Sequence, residues 1–168
     1  MIDIDKVLVA TDFGHTSDAA LFYGRDLARL YGARLHIAHI IDDAPVLSAD
    51  LDPLAVTEAQ RATEQAARAG LESLLTTADR LQLHARAVVR TSNDTAAAIV
   101  DYANEAGIDL IVMGTHGRTG LAHVVMGSVA EKVVRTARCP VLTIHAPERE
   151  PAIDAVAIAE RLEPIAVA

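Results

Sequence analysis

The sequence predicts an α/β protein: one domain built on an open, twisted sheet of five parallel strands, with helices on both faces. Three observations predict it. Short apolar runs recur along the chain, each closed by a turn-forming cluster, as buried parallel strands are. Between them lie longer segments whose apolar residues repeat every three or four positions, the period of an amphipathic helix. The alternation holds from Lys6 to Ile144, and chains of that pattern close into parallel sheets through right-handed crossovers.

The first run, Val7-Leu8-Val9-Ala10, ends at Thr11-Asp12-Phe13-Gly14. In the helix expected next, Thr16 or Ser17 can cap, Asp18 suits the first turn, and Ala20, Tyr23, Leu27, Leu30 and Tyr31 share a face. Gly32 can adopt the left-handed conformation that stops it. A second strand, Leu35-His36-Ile37-Ala38-His39-Ile40-Ile41, leads to Asp42-Asp43 and a long loop over 44–54 holding Pro45 and Pro53. Residues 56–83 read as one long helix with Ala67, Leu71, Leu74, Leu75, Ala78 and Leu81 on a face, bent or broken at Gly70, which costs about 1 kcal/mol relative to Ala. A third strand over 85–89 precedes the polar turn Thr91-Ser92-Asn93-Asp94 and a helix with Ile99, Val100 and Ala103 inward. The fourth strand is Leu110-Ile111-Val112-Met113. After a glycine-rich stretch Ser128 opens a helix carrying Val129, Val133, Val134 and Ala137, Pro140 stops it, and Val141-Leu142-Thr143-Ile144 forms the fifth strand. The domain so outlined covers 1–146. Beyond it, 147–168 is an extension in which Pro147-Glu148-Arg149-Glu150-Pro151 resembles a linker and Ala155, Ile158, Ala159 and Leu162 share one face of a short helix; a frayed, disordered terminus is the alternative.

Composition narrows the function. With 168 residues, 51% of them hydrophobic, one core of ordinary size is expected. Fifteen basic against 23 acidic residues give a net charge of −8, and two Phe, three Tyr and no Trp leave little for bases to stack on, which argues against nucleic-acid binding. The start of the chain carries no basic segment leading into an apolar one, and no run approaches the roughly 18 apolar residues of a membrane span, so a cytoplasmic protein with no membrane partner is expected. Cys139 is the single cysteine and reads as a small packed residue.

In open α/β sheets ligands bind at the carboxyl ends of the strands, where strand order reverses. Three segments qualify here: Thr11 to Gly14, Ile40-Ile41-Asp42, and the stretch from Met113 through Gly114, Gly117 and Gly120 to Gly127-Ser128. Glycines let a backbone approach an anion closely, and the capping-box pattern Ser128-Val129-Ala130-Glu131 marks a helix N-terminus, a natural phosphate site. The same residues would serve equally as turn glycines and a cap with no ligand. His116 and Arg118 lie inside the stretch, where each is either a phosphate contact or solvated. Asp12 is a turn residue, a nucleoside contact or a water-mediated cation ligand; its charge would repel phosphate. His36 and His39 stand three apart on a strand and face opposite sides, and His15, His84, His123 and His145 have no ligand spacing, so no metal ligand is assigned. The stretch lacks the Lys and spacing of a Walker loop, no kinase-type catalytic loop is present, and the first strand does not end in the HxGH-like or SGGxDS-like patterns of nucleotidyl-transferring proteins, so no catalytic residue is assigned either.

The spacing Gly114-x2-Gly117-x9-Gly127-Ser128 resembles the nucleotide-binding signature of the universal stress protein family, in its ATP-binding branch. Residues 109–121, Cys139-Pro140-Val141-Leu142, Val9-Ala10-Thr11-Asp12-Phe13 and His39-Ile40-Ile41-Asp42 resemble it too, in order, over residues 4–145. The resemblance implies a sheet of strand order 3-2-1-4-5, of the adenine nucleotide alpha hydrolase-like kind, binding ATP, with Mg²⁺, between strands one and four. By the same resemblance Asp12 contacts the adenosine moiety and the backbone of Ile40 the adenine, while Gly114, Gly117, Gly127 and Ser128 hold ribose and phosphates beside Val129. It also implies a homodimer through the last strand, Val141 to Ile144. Gly14 stands where the family often has Ser, and the turn near Asn93-Asp94-Thr95 lacks the common Gly-x-Pro pattern. The function expected is an ATP-dependent stress-response or regulatory binding module with an unknown protein partner. Two alternatives stand beside it: a slow ATPase or autophosphorylating protein using His116 or His15, and an interaction protein indifferent to nucleotide.

Overall fold

In the computed structural model, which describes residues 3–43, 52–115 and 127–145, the apolar runs form strands β1 (Lys6–Ala10), β2 (Arg34–Asp42), β3 (Arg86–Ser92), β4 (Leu110–Gly114) and β5 (Val141–Ile144). They build one sheet of order β3-β2-β1-β4-β5, and every pairing is parallel. Helices α1 (His15–Tyr31), α2 (Pro53–Leu74), α3 (Thr77–Gln82), α4 (Thr95–Ala106) and α5 (Ser128–Thr136) connect them.

Alternation along each strand divides the core in two. Val7, Val9, Leu35, Ile37, Leu110 and Val112 face α1 and α2. Leu8, Ala10, Ala38, Ile40, Ile111 and Met113 face α4 and α5. Helices therefore cover both faces.

α1 departs from the expected phase. Its buried residues are Ser17, Ala20, Leu21, Gly24 and Ala28, whereas Tyr23, Leu30 and Tyr31 are exposed. Small residues win the inner face because the helix lies very close to the sheet: a Cβ on Gly24 would sit 2.3 Å from Val9 Cγ2. Nor does Thr16 or Ser17 occupy the N-cap position, which falls to Gly14; Gly32, at φ +66°, ends the helix as expected.

The long helical segment begins at Pro53, earlier than expected, because Asp52 accepts the Leu54 N–H and proline suits the first helical position. It breaks at Leu75-Thr76 and not at Gly70. There Thr76 and Asp79 form a reciprocal capping box that starts α3, while Gly70 stays helical and leaves room for the Phe13 ring, which a Cβ would meet at 3.1 Å. Leu81 is exposed, and the buried position of its helix is Asp79. Arg25 Nε of α1 donates to Asp79 Oδ2 at 3.0 Å and Arg29 lies 3.8 Å from Oδ1. Burial pushes the Asp79 carboxyl up, but the Thr76 N–H, the Arg25 guanidinium and the Thr76 hydroxyl together hold it below its ordinary range.

β3 runs through Thr91 and Ser92, so the polar turn is shorter than expected, and Asp94 caps α4 by accepting the Ala97 N–H at 3.1 Å. At α5 the capping position belongs to Gly127, with Ser128 the first helical residue and no side-chain cap present; Val134 is exposed. The extension over 147–168 and most of the 44–54 loop lie outside the described residues.

Candidate functional site

β1 stops at Ala10 while β2 runs on to Asp42, so the two part company above Ala38, whose carbonyl accepts the Thr11 N–H at 2.9 Å. Chain connections leave β1 toward one face and β4 toward the other, and a crevice opens between them. It holds a cleft of about 220 Å³.

Asp12, Ile40, Gly114, Gly127, Ser128 and Val129 all line this cleft. Gly117, His116 and Arg118 lie outside the described residues. The floor and walls include Ala10, Ala38, Ile99 and Met113, giving an apolar interior with polar groups at its rim.

Each rim element is placed by local chemistry. In the turn after β1, the Thr11 hydroxyl accepts the Phe13 N–H and donates to Ser17 Oγ, each at 3.0 Å. Ser17 Oγ also accepts the Gly14 N–H at 3.0 Å and donates to the Gly14 carbonyl at 2.7 Å, and Asp12 Oδ1 accepts that same Gly14 N–H at 3.0 Å. Phe13 adopts φ +62°, a left-handed conformation that costs a non-glycine residue about 1–2 kcal/mol. Its ring packs against His39, centroids 4.5 Å apart, and His39 Nδ1 donates to the Thr11 carbonyl at 2.8 Å. The turn that carries Asp12 is thus pinned from behind.

Ile40 contributes through its main chain. In a parallel strand, alternate residues direct both N–H and C=O to the same neighbour. Ala38 bonds toward β1, so Ile40 points the same way, past the end of β1 and into the cleft. It offers a donor and an acceptor side by side.

Gly114 faces both ways: it lines the cleft, but a Cβ on it would meet Thr16 Cγ2 at 2.7 Å and the Thr16 backbone at 3.2 Å. Packing against the first turn of α1 therefore accounts for this glycine by itself. Gly127 donates its N–H to the Thr115 carbonyl at 2.6 Å, which fixes the start of α5 beside the end of β4. The first N–H groups of any helix have no intrahelical partner, and here the capping residue has no side chain to supply one.

Thr95, Ile99 and Thr115 also line the cleft; the sequence placed Thr115 within the stretch after the fourth strand and Ile99 on the inner face of a helix, but assigned none of the three to a ligand. Thr95 follows the cap of α4 at the end of β3, so the strand-end rule would have found it. The Lys132 ammonium, 2.5 Å from Asp94, holds that carboxyl below its ordinary range with help from the Ala97 N–H, and joins the start of α4 to α5. His36 and His39 do face opposite sides: His36 Nδ1 pairs with the Tyr102 hydroxyl at 2.7 Å, on the α4 face. Among the described residues no group of three or more His, Cys, Asp or Glu could hold a metal, and no helix is long and apolar enough to cross a membrane.

Residues 3–145 match the Universal stress protein family. The universal stress protein YxiE of Bacillus subtilis is 30% identical over 147 residues, covering 84% of this chain and 99% of that protein. The solved structure of the universal stress protein UspA from Lactobacillus plantarum superposes with a TM-score of 0.69 at 27% identity, covering 84% of this chain and 98% of the other. A universal stress protein solved in complex with cAMP shares the fold, with a TM-score of 0.54 at 24% identity over 85% of this chain and 98% of that one.

Proposed function

The chain belongs to the universal stress protein family, and from that premise we propose that it is a regulatory module in the stress response that binds ATP, with Mg²⁺, in the cleft between β1 and β4. One observation carries this: Asp12, Ile40, Gly114, Gly127, Ser128 and Val129, drawn from distant parts of the sequence, line a single cleft at the switch point of the sheet.

The residues divide the work by chemistry. The N–H and C=O of Ile40 suit the edge of a purine, which presents an acceptor beside a donor. Asp12 sits at the nucleoside end, where a carboxylate can accept from ribose hydroxyls away from phosphate. The start of α5, with Ser128 and the uncapped N–H groups, receives phosphate oxygens, and Gly117, outside the described residues, is assigned to the same end by the glycine spacing. Bound Mg²⁺ neutralises phosphate charge. A nucleotide so held ties together the ends of β1, β2 and β4 and stabilises that arrangement by mass action, about 2.7 kcal/mol at a hundredfold excess over Kd. The edge of β5, Val141–Ile144, is where a second copy pairs.

The test is acid extraction of the purified protein followed by calorimetric titration with Mg²⁺-ATP, AMP and cAMP. Saturable ATP binding is expected, lost in Gly117→Val. No adenine nucleotide bound at millimolar concentration would overturn the proposal, and tighter binding of AMP or cAMP would replace ATP as the ligand.

A further inference from the structure

Among the described residues nothing covers the apolar outer flank of α1, where Tyr23 and Leu30 are exposed. Counting about 100° per residue round the helix from Gly24, which faces the sheet, Arg25 lies to one side, and Tyr23, Leu27 and Leu30 lie about 60–120° to the other. Arg25 reaches the Leu74 carbonyl and Asp79, so its side faces α2 and α3, of which α2 covers β2 and β3. The opposite side therefore faces β5, where half-buried Leu142 and Ile144 point to the same layer. Tyr23 is 50% and Leu30 75% exposed. Together these side chains make an apolar corner beside α1, and exposed apolar patches of this kind mark docking sites.

We propose that the C-terminal segment 152–163 of this same chain docks into that corner as a helix running parallel to α1. The chain leaves β5 at His145 on the border of the corner. Residues 146–151 can span about 20 Å when extended, enough to turn back over the sheet edge. In the segment, Ala155, Ile158, Ala159 and Leu162 share one apolar face, with Val156 on its flank and Ile153, Glu160 and Arg161 opposite. The spacing matches the flank: Ala155 and Leu162 lie two helical turns apart, as do Tyr23 and Leu30. A strand followed by a helix descending beside it is also what β1, β2, β3 and β4 each do. The docked helix would cover Leu142 and Ile144 and leave the hydrogen-bonding edge of β5 open.

Paired cysteines in the full chain, in a Cys139→Ser background, test both occupant and register. Under mild oxidation Leu30→Cys with Leu162→Cys should form an intrachain disulfide at least tenfold faster than Leu30→Cys with Ala155→Cys or with Arg161→Cys. Amide exchange over 152–163 should be slowed, and Leu30→Asp should restore fast exchange there while the sheet stays protected. Disulfides that link two chains would show that a second copy covers the flank, and equal rates for all pairs would show that the segment does not dock; either result overturns the proposal.

Discussion

The turn after β1 and the start of α5 lie on the same cleft and are built on opposite terms. At the first, hydroxyls of Thr11 and Ser17, the Asp12 carboxylate and the His39 ring engage the main chain of residues 11–14. At the second, Gly127 takes the capping position with no side chain to offer. One rim is fixed by the protein's own groups before any ligand arrives. The other has no side-chain cap, which makes for a weaker helix start and leaves the donors that the proposed ligand would satisfy. Under the proposed function the fixed rim would face the nucleoside and the open rim the phosphates, an arrangement suited to orienting a ligand with one neutral and one charged end.

The largest effect should come from breaking the fixed rim. Ser17→Val removes one of the two acceptors of the Gly14 N–H and the buried hydrogen-bond partner of the Thr11 hydroxyl, so denaturant unfolding should show a loss of about 1–3 kcal/mol. Closing the open rim should do the reverse to stability. Gly127 has φ −68° and ψ 151°, ordinary for any residue, and Gly127→Asp would cap α5 with its own carboxylate. Unfolding free energy should rise by about 0.3–1 kcal/mol while ATP affinity falls at least about tenfold, roughly 1.4 kcal/mol. Equal loss of affinity and stability would mean that the two rims are not distinct. Ser128→Ala should weaken ATP binding only a few-fold, about 1 kcal/mol, with stability unchanged within about 0.5 kcal/mol. The smallest effect lies away from both rims. Burial, then the charges of Arg86, Lys6 and Arg34, lower the pKa of His36. The unfolded chain therefore takes up a proton before the folded one does. Unfolding free energy should hold above about pH 6.5 and decline below it, and His36→Gln should flatten the upper part of that decline.

The alternation of strands and helices was legible in the apolar runs, and strand ends and glycine spacing marked where a ligand could sit; strand order and the individual cleft residues came only with the family resemblance that those motifs carry. The phase of α1 was not legible. Tyr23, Leu30 and Tyr31 outweigh Ala20, Gly24 and Ala28 in any count of apolar residues, yet a helix pressed this near a sheet buries its smallest side chains. Asp79 was equally hidden, since an acid near a helix start is usually solvated and only the arrival of Arg25 from α1 allows its burial. At the site, the pinning of Thr11 by His39 requires knowing that the turn folds back over β2.

The overhang of β2 beyond β1 has a consequence for how such a protein changes over time. What Ile40 offers the cleft is its amide, and every amino acid except proline carries the same donor and acceptor. Mutation can therefore exchange the side chain at this position for another that packs against α4 without erasing the pair of groups beside it. Descendants of this chain would share that edge through the geometry of the sheet even after their letters at position 40 had diverged, and tracing them by residue identity there would miss what they have in common.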